Sequence, residues 1–229
     1  MTKITTNRLI TLVILGLLFL STFHYLNITL EKRYWQRYVK EKHEAMGELY
    51  YREFISEAEE VSLEELIELF GNETLIPTWM PDDIKLRKIY VVQRNESMHA
   101  ILAYSDREIE DYRNANIIIS IVKPSAGLFI SYLKSDEEYN DGNYTNGELI
   151  KINDMWLLVY DERPGIPVTI TLENGREIKF FLPEPQPATA YFCSNAIGYT
   201  LWGFFSKDVI IMIVKNMKPY SQIISQETL

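Results

Sequence analysis

Apolar and polar positions follow three different rhythms along this chain. Leu9 to Leu30 runs 22 residues without a charged side chain. As a helix such a run rises roughly 33 Å, enough to cross a hydrocarbon core of about 30 Å, so residues 9–30 are predicted to be a membrane anchor behind a short tail, residues 1–8. Its densest part, Leu9 to Leu20, is followed by Ser21-Thr22-Phe23-His24-Tyr25, which offers no small-x-small cleavage site, and the anchor is therefore expected to be retained. His24, Tyr25 and Asn27 fall near one end, where semi-polar and aromatic side chains suit the headgroup level. Residues 31–60 then mix Glu, Lys, Arg and Tyr, with Trp35, Val39, Met46, Leu49 and Phe54 loosely on one face. This predicts a helical stalk, weakened at Gly47 by about 1 kcal/mol relative to alanine.

The third rhythm begins at residue 61 and fills a domain predicted to run from 61 to 220, ahead of a C-terminal tail, 221–229. Ser62-Leu63-Glu64-Glu65 has the serine and the glutamate three residues on that make a capping box; Leu63, Leu66, Ile67 and Phe70 share one face, and Gly71 is placed to end the helix in the left-handed conformation. Pro77 to Pro81 gives a stiff, extended lead-in to a series of strands. Those strands are predicted at 84–92, 98–104, 116–122, 128–133, 148–152, 155–160, 167–172, 177–182, 188–192 and 197–204. They are short, β-branched or aromatic; Met98, Ala100, Leu102 and Tyr104 alternate with His99, Ile101 and Ala103, and Asn174-Gly175 between two of the strands is a strong hairpin signal. Short turns require antiparallel pairing, and no helical stretches intervene to make βαβ crossovers. Val209 to Val214 has strand propensity, but Ser206, Asp208, Lys215 and Lys218 are placed as helix-end residues, and the segment is predicted to be a buried helix. The expected fold is α+β: an N-terminal transmembrane helix and helical stalk, then an antiparallel sheet or half-barrel with one or two packed helices.

Composition narrows the function classes. The chain has 229 residues, 47% of them hydrophobic, with 15 tyrosines and a net charge of −9. It has the material for a core, and its acidity argues against nucleic acid as a partner, since phosphate binding needs clustered Lys and Arg. One cysteine, Cys193, allows no internal disulfide and reads as a buried strand residue. Orientation is contested. Lys32, Arg33, Arg37, Lys40 and Lys42 follow the anchor, against Lys3 and Arg8 before it, which favours a cytoplasmic domain; the glycosylation sequons at Asn72, Asn95 and Asn143 favour an outside one, while a fourth at Asn27 sits too near the bilayer to be reached.

The order of a capped helix with a Glu-rich first turn (Ser62 to Glu65), a Pro-x-x-x-Pro lead-in (Pro77 to Pro81), a strand ending in Tyr104-Ser105-Asp106, a strand pair around Gly147 to Val159, and a closing strand with Gly203, Ser206 and a terminal helix resembles a family of domains of unknown function. That family occurs at the C-termini of membrane-anchored extracytoplasmic proteins and is similar to the LolA and RseB lipoprotein-binding fold. The resemblance covers residues 62–123 and 143–218; it departs at Arg163 to Pro187, a proline-rich hairpin, and in the acidic loop near Asp141. It implies an extracytoplasmic location and a concave apolar sheet suited to a lipid or peptide, and no catalytic residue.

Chemistry is sparse. Of three histidines only His99 lies in the domain, and it reads as a solvent-facing sheet residue; no nucleophile, zinc, phosphate-loop or Cys-x-x-Cys motif is present, so no catalytic, metal or cofactor residue is assigned. Asp82-Asp83 and the group Asp106, Glu108, Glu110 and Asp111 read as solvated turns. Glu137 to Glu148 partly matches an EF-hand loop, with Asp141, Gly142, Asn143, Thr145 and Glu148 in register, but Tyr139 sits at position 3 and neither flank is helical. The expected function is a membrane-anchored extracytoplasmic binding or sensing module for a lipid, lipoprotein or peptide. The alternatives are an accessory subunit that docks a membrane-protein partner through the stalk, and a hydrolase using scattered carboxylates.

Overall fold

The computed structural model describes residues 6–94, 96–125 and 147–227, with side chains from Ile14 onward except at Gly16. In chain order the elements are α1 (Thr6–Glu57), β1 (Glu59–Glu60), α2 (Leu63–Phe70), β2 (Leu75–Pro77), β3 (Lys85–Arg94), β4 (Ser97–Ser105), a 3-10 turn (Tyr112–Asn114), β5 (Ile117–Lys123), β6 (Glu148–Ile152), β7 (Met155–Tyr160), β8 (Ile166–Thr171), β9 (Glu177–Leu182), β10 (Ala188–Ser194), β11 (Ile197–Gly203), α3 (Lys207–Lys215), β12 (Met217–Pro219) and α4 (Tyr220–Glu227). The fold is α+β with one large antiparallel sheet. The chain divides into two compact units, Met1–Tyr50 with Gly165–Pro183, and Tyr51–Pro164 with Glu184–Leu229.

The second unit is built on an eight-stranded sheet in the order β1-β3-β4-β5-β11-β10-β7-β6, every described neighbour antiparallel. Strand period two sorts its side chains onto two unlike faces. The cross-strand row Ile89, Leu102, Ile119, Leu201, Ala190 and Val159 lies on one, wholly hydrocarbon and buried. Leu66, Ile67 and Phe70 of α2 and Ile210, Ile213 and Val214 of α3 belong to the same cluster. Each fully buried aliphatic side chain there contributes about 1.5–3 kcal/mol, so this layer holds the unit together. On the other face the equivalent row is Tyr90, Ile101, Ser120, Thr200, Tyr191, Leu158 and Leu149, in which hydroxyls interrupt the hydrocarbon.

Local chemistry fixes the helix ends. The Ser62 hydroxyl accepts from the Glu65 N–H at 3.2 Å while the Glu65 carboxylate accepts from the Ser62 N–H at 2.7 Å, the expected capping box. Gly71 does stop α2, but at φ 97° and ψ 159°, a region open essentially to glycine alone and not the left-handed helical one. A cation supplies the rest of that terminus: Lys123 Nζ donates to the Phe70 carbonyl at 2.7 Å, where the helix dipole is negative. Val209 to Val214 lies within the helix α3, as expected. Ser206 takes the capping conformation without a side-chain cap bond; the Lys207 N–H reaches Asp161 Oδ1 at 3.3 Å instead.

Several boundaries need correction. The expected tail, anchor and stalk are one helix that begins at Thr6 and stops at Glu57, after which Glu59 and Glu60 pair with Val91 and Tyr90 as a sheet edge. The expected C-terminal tail is largely α4, and the short ladder of β2 with β12 went unforeseen, being three residues on each side. Among the described residues no helix is long and apolar enough to cross a membrane. Of the expected anchor, the side chains of residues 9–13 and position 16 lie outside the described ones. The strand expected at 128–133 and most of the EF-hand-like stretch also lie outside them.

Candidate functional site

In the first unit, α1 carries a β-ribbon. Leu172 N–H donates to the Arg176 carbonyl and Gly175 N–H to the Leu172 carbonyl, giving a three-residue loop in which Gly175 takes φ 80°. Asn174-Gly175 thus makes the hairpin it signalled, as a turn with a glycine bulge. The pairs Ile166 with Leu182, Val168 with Phe180 and Ile170 with Ile178 share one side of the ribbon, buried or half-buried; Pro167 with Phe181, Thr169 with Lys179 and Thr171 with Glu177 form the exposed side. At its base Gly165 is required, because a Cβ there would collide with the Leu182 carbonyl. The ribbon is tied to α1 by Gln36 Nε2, which donates to the Phe181 carbonyl at 3.1 Å, and by an ion pair of Arg176 with Glu31.

Two pockets lie along this seam. One of 360 Å³ is lined by Ile28, Glu31 and Lys32 of α1 and by Arg176 to Lys179 of the ribbon. The other, of 470 Å³, is lined by Trp35 and Ile170 to Asn174. Tyr34, Trp35 and Tyr38 form an aromatic group on the same stretch of helix, with ring centroids 5.4 to 6.5 Å apart. The hairpin and the basic residues after the apolar run are each legible in the sequence, but nothing in the spacing of Glu31 and Arg176 shows that they meet.

The second unit holds the end of α1 against the mixed face of its sheet. Phe54 packs edge-on against His99 at 5.0 Å and Tyr112 at 5.7 Å, and Phe54, Ile55, Ala58 and Tyr112 cover Tyr90, Ile101 and Ile118. Arg94 pairs with Glu57 at 2.9 Å beside them. Tyr51 donates to Asp111 Oδ2 at 3.0 Å, and the Arg113 guanidinium lies 3.4 Å over the Tyr51 ring. His99 therefore does not face solvent, as its sequence context suggested, but lies half-buried under Phe54. Its Nε2 is hydrogen-bonded to Ser120 Oγ at 2.8 Å, and burial together with the Arg94 charge lowers its pKa. A neutral histidine on a serine is the first requirement of an activated nucleophile. Here the imidazole is closed over by a phenyl ring, and no described carboxylate bonds its other nitrogen.

Of the carboxylates singled out by sequence, Asp111 and Glu108 are engaged in local structure. Asp111 caps the 3-10 turn through the Arg113 N–H; burial would raise its pKa, but the bonds from Arg113 and Tyr51 and the Arg113 charge hold it below the usual range. Glu108 pairs with Arg87 at 2.7 Å. Ser105, at the end of the Tyr104-Ser105-Asp106 motif, donates to Asn116 Oδ1 at 2.8 Å, which also accepts from the Asp106 N–H, so the motif closes the turn between β4 and β5. Cys193 lies in β10 on the mixed face, half-buried where a buried residue was expected. Of the glycosylation candidates, Asn72 is exposed on the turn after α2, while Asn95 and Asn143 lie outside the described residues.

These observations define an α+β protein in which one long helix meets a β-ribbon in one unit and the mixed face of an antiparallel sheet in the other. No protein-family model, curated protein or solved structure matches the chain.

Proposed function

We propose that this chain is a single-pass membrane protein whose residues 9–30 anchor an extracytoplasmic, non-catalytic binding or sensing module for a lipid, lipoprotein or peptide. The observation that carries the reading is the outer surface of α1. Leu17, Leu18, Phe19 and Leu20 are 57 to 72% exposed at four consecutive positions, with Ile14, Leu15, Phe23, Leu26 and Leu30 also exposed. A helix that is apolar all round cannot stand in water and is covered by lipid or protein. The 22-residue uncharged run makes lipid the simpler cover. Exposure of Asn72 agrees with an outside domain, as does the resemblance to extracytoplasmic lipoprotein-binding domains. The structural use of the Asp111 and Glu108 carboxylates supports a binding role over a carboxylate hydrolase.

One observation favours a second reading. Met46, Leu49 and Tyr50 are exposed large apolar side chains on the stalk, the kind of stripe an accessory subunit would set against a partner helix. Protease added to intact cells, followed by native mass spectrometry of the detergent-extracted chain, tests both. Digestion down to the anchor, with glycan mass on Asn72 and a chain carrying small apolar ligands, is expected. Survival until lysis overturns the orientation; a stoichiometric protein partner in mild detergent replaces the binding module with the subunit.

A further inference from the structure

We propose that the 360 Å³ pocket between α1 and the β-ribbon holds the headgroup of an anionic phospholipid from the surrounding bilayer. The inference rests on the anchored reading above. Leu30 ends the uncharged run, so Ile28, Glu31 and Lys32 occupy the two turns where a spanning helix passes from hydrocarbon to phosphate. Ile28 and Ile178 offer apolar surface to the glycerol end of an acyl chain, and Lys32, Arg176 and Lys179 surround it with donors. Two carboxylates share the lining, and both are already paired: Glu31 with Arg176, and Glu177 with Lys179 at 3.0 Å. Three cations against two paired carboxylates leave one positive charge, carried by exposed Lys32, which matches the single charge of a phosphodiester. The ion pair also orients Arg176, whose planar fork suits phosphate oxygens when its remaining N–H groups point into the pocket. Tyr34, Trp35 and Tyr38 on the following turns are the amphipathic rings expected at headgroup depth. A wholly polar anion site would have no use for the isoleucines, and a soluble peptide would not need the site at the membrane border.

The test uses the full chain reconstituted into phosphatidylcholine nanodiscs with and without an equal share of phosphatidylglycerol, and counts retained lipid by native mass spectrometry. Retention of phosphatidylglycerol over phosphatidylcholine is expected, with about a fivefold loss for each cation removed in Lys32→Gln and Arg176→Gln. Lys85→Gln with Arg107→Gln, in the sheet unit, serves as the charge control and should retain the wild-type preference. Arg176→Lys keeps the charge without the planar fork and should lose less than Arg176→Gln; Glu31→Gln breaks the ion pair but leaves every cation in place, and if it loses as much as Arg176→Gln the effect is loss of that pair and the headgroup site is overturned. Equal retention of both lipids, or a preference unchanged in Lys32→Gln, also overturns it. Extraction of the wild-type chain from membranes by alkaline carbonate would instead overturn the anchor itself.

Discussion

Phe54→Ala should free the end of α1 from the sheet while leaving the sheet folded. The phenyl ring makes two edge-on aromatic contacts, with His99 and with Tyr112, and lies half-buried over the small cluster of Tyr90, Ile101 and Ile118. Each aromatic pair is worth about 0.5–1.5 kcal/mol beyond area burial, and half-burying the ring adds roughly 1 kcal/mol, so truncation should cost about 2 kcal/mol after partial collapse of the site. That cost falls locally. The core layer of Leu102, Ile119, Leu201 and the α2 and α3 residues is on the other face of the sheet. Hydrogen exchange of the full chain is the assay. A local loss of about 2 kcal/mol should speed exchange of amides 51–57 about 30-fold, with amides of β4, β5 and β11 unchanged. Uniform acceleration throughout the sheet would mean that the junction and the core are one cooperative unit. No change at 51–57 would mean that Arg94 and Glu57 suffice to hold the helix. The first result refutes the separation of the two faces, the second the role given to Phe54.

Three further outcomes follow from single contacts. Tyr199 is fully buried and its hydroxyl accepts from the Leu75 N–H at 2.9 Å, so Tyr199→Phe leaves a buried donor without its partner and should cost about 1–3 kcal/mol in urea unfolding at constant m-value. Gly203→Ala would place a Cβ 2.9 Å from the Asn116 carbonyl and 3.1 Å from Ile117 Cγ1, so β11 and β5 must separate at a loss of about 1–3 kcal/mol, read as a lowered thermal midpoint. The His99 pKa lies below its ordinary value, so between the two the unfolded chain binds more protons; stability should be full above the ordinary histidine range and fall as the pH drops through it toward the folded value. His99→Gln should flatten that part of the acid limb, and an unchanged slope would assign it to other groups.

Strand period was the most legible property of the sequence. Strands 148–152, 155–160 and 177–182 lie where alternation and turn residues put them, and the capping box of Ser62 and Glu65 forms as written. These signals are local, so local chemistry decides them. The failures are those where a distant residue decides. His99 occupies an alternating strand position that looks outward until Phe54, 45 residues earlier, closes over it. Lys123, one residue past the strand predicted at 116–122, completes the C-terminus of α2, and Asp161 replaces the expected Ser206 cap. The composition of residues 31–60 predicts helix to Glu60, and Glu is itself a good helix former, but pairing of Glu59 and Glu60 with Val91 and Tyr90 outweighs that weak preference. The candidate pocket was illegible for the same reason, since its walls come from residues 28–32 and 176–179.

The mixed face of the sheet is where folding and function place opposing demands. A face meant only for packing would carry the hydrocarbon row seen beneath α2 and α3. Instead Ser120 and Thr200 stand side by side in the centre of the sheet, next to Tyr191 in the same row. Buried hydroxyls need hydrogen bonds, and Ser120 finds one in His99. The same imidazole packs against Phe54 at 5.0 Å, so a polar pair adjoins an apolar junction. Thr189 turns its hydroxyl to the Pro187 carbonyl at 3.1 Å, and Tyr160 stands perpendicular to Tyr191 at 6.1 Å with the Arg163 guanidinium 5.3 Å from its ring centroid. Ser120, Thr189 and Tyr191 on this face are thus each held by a near neighbour. Such a face tolerates partial hydration in a way the hydrocarbon face cannot, which is why the end of α1 can dock there with a modest, local stability and why its release need not expose the core.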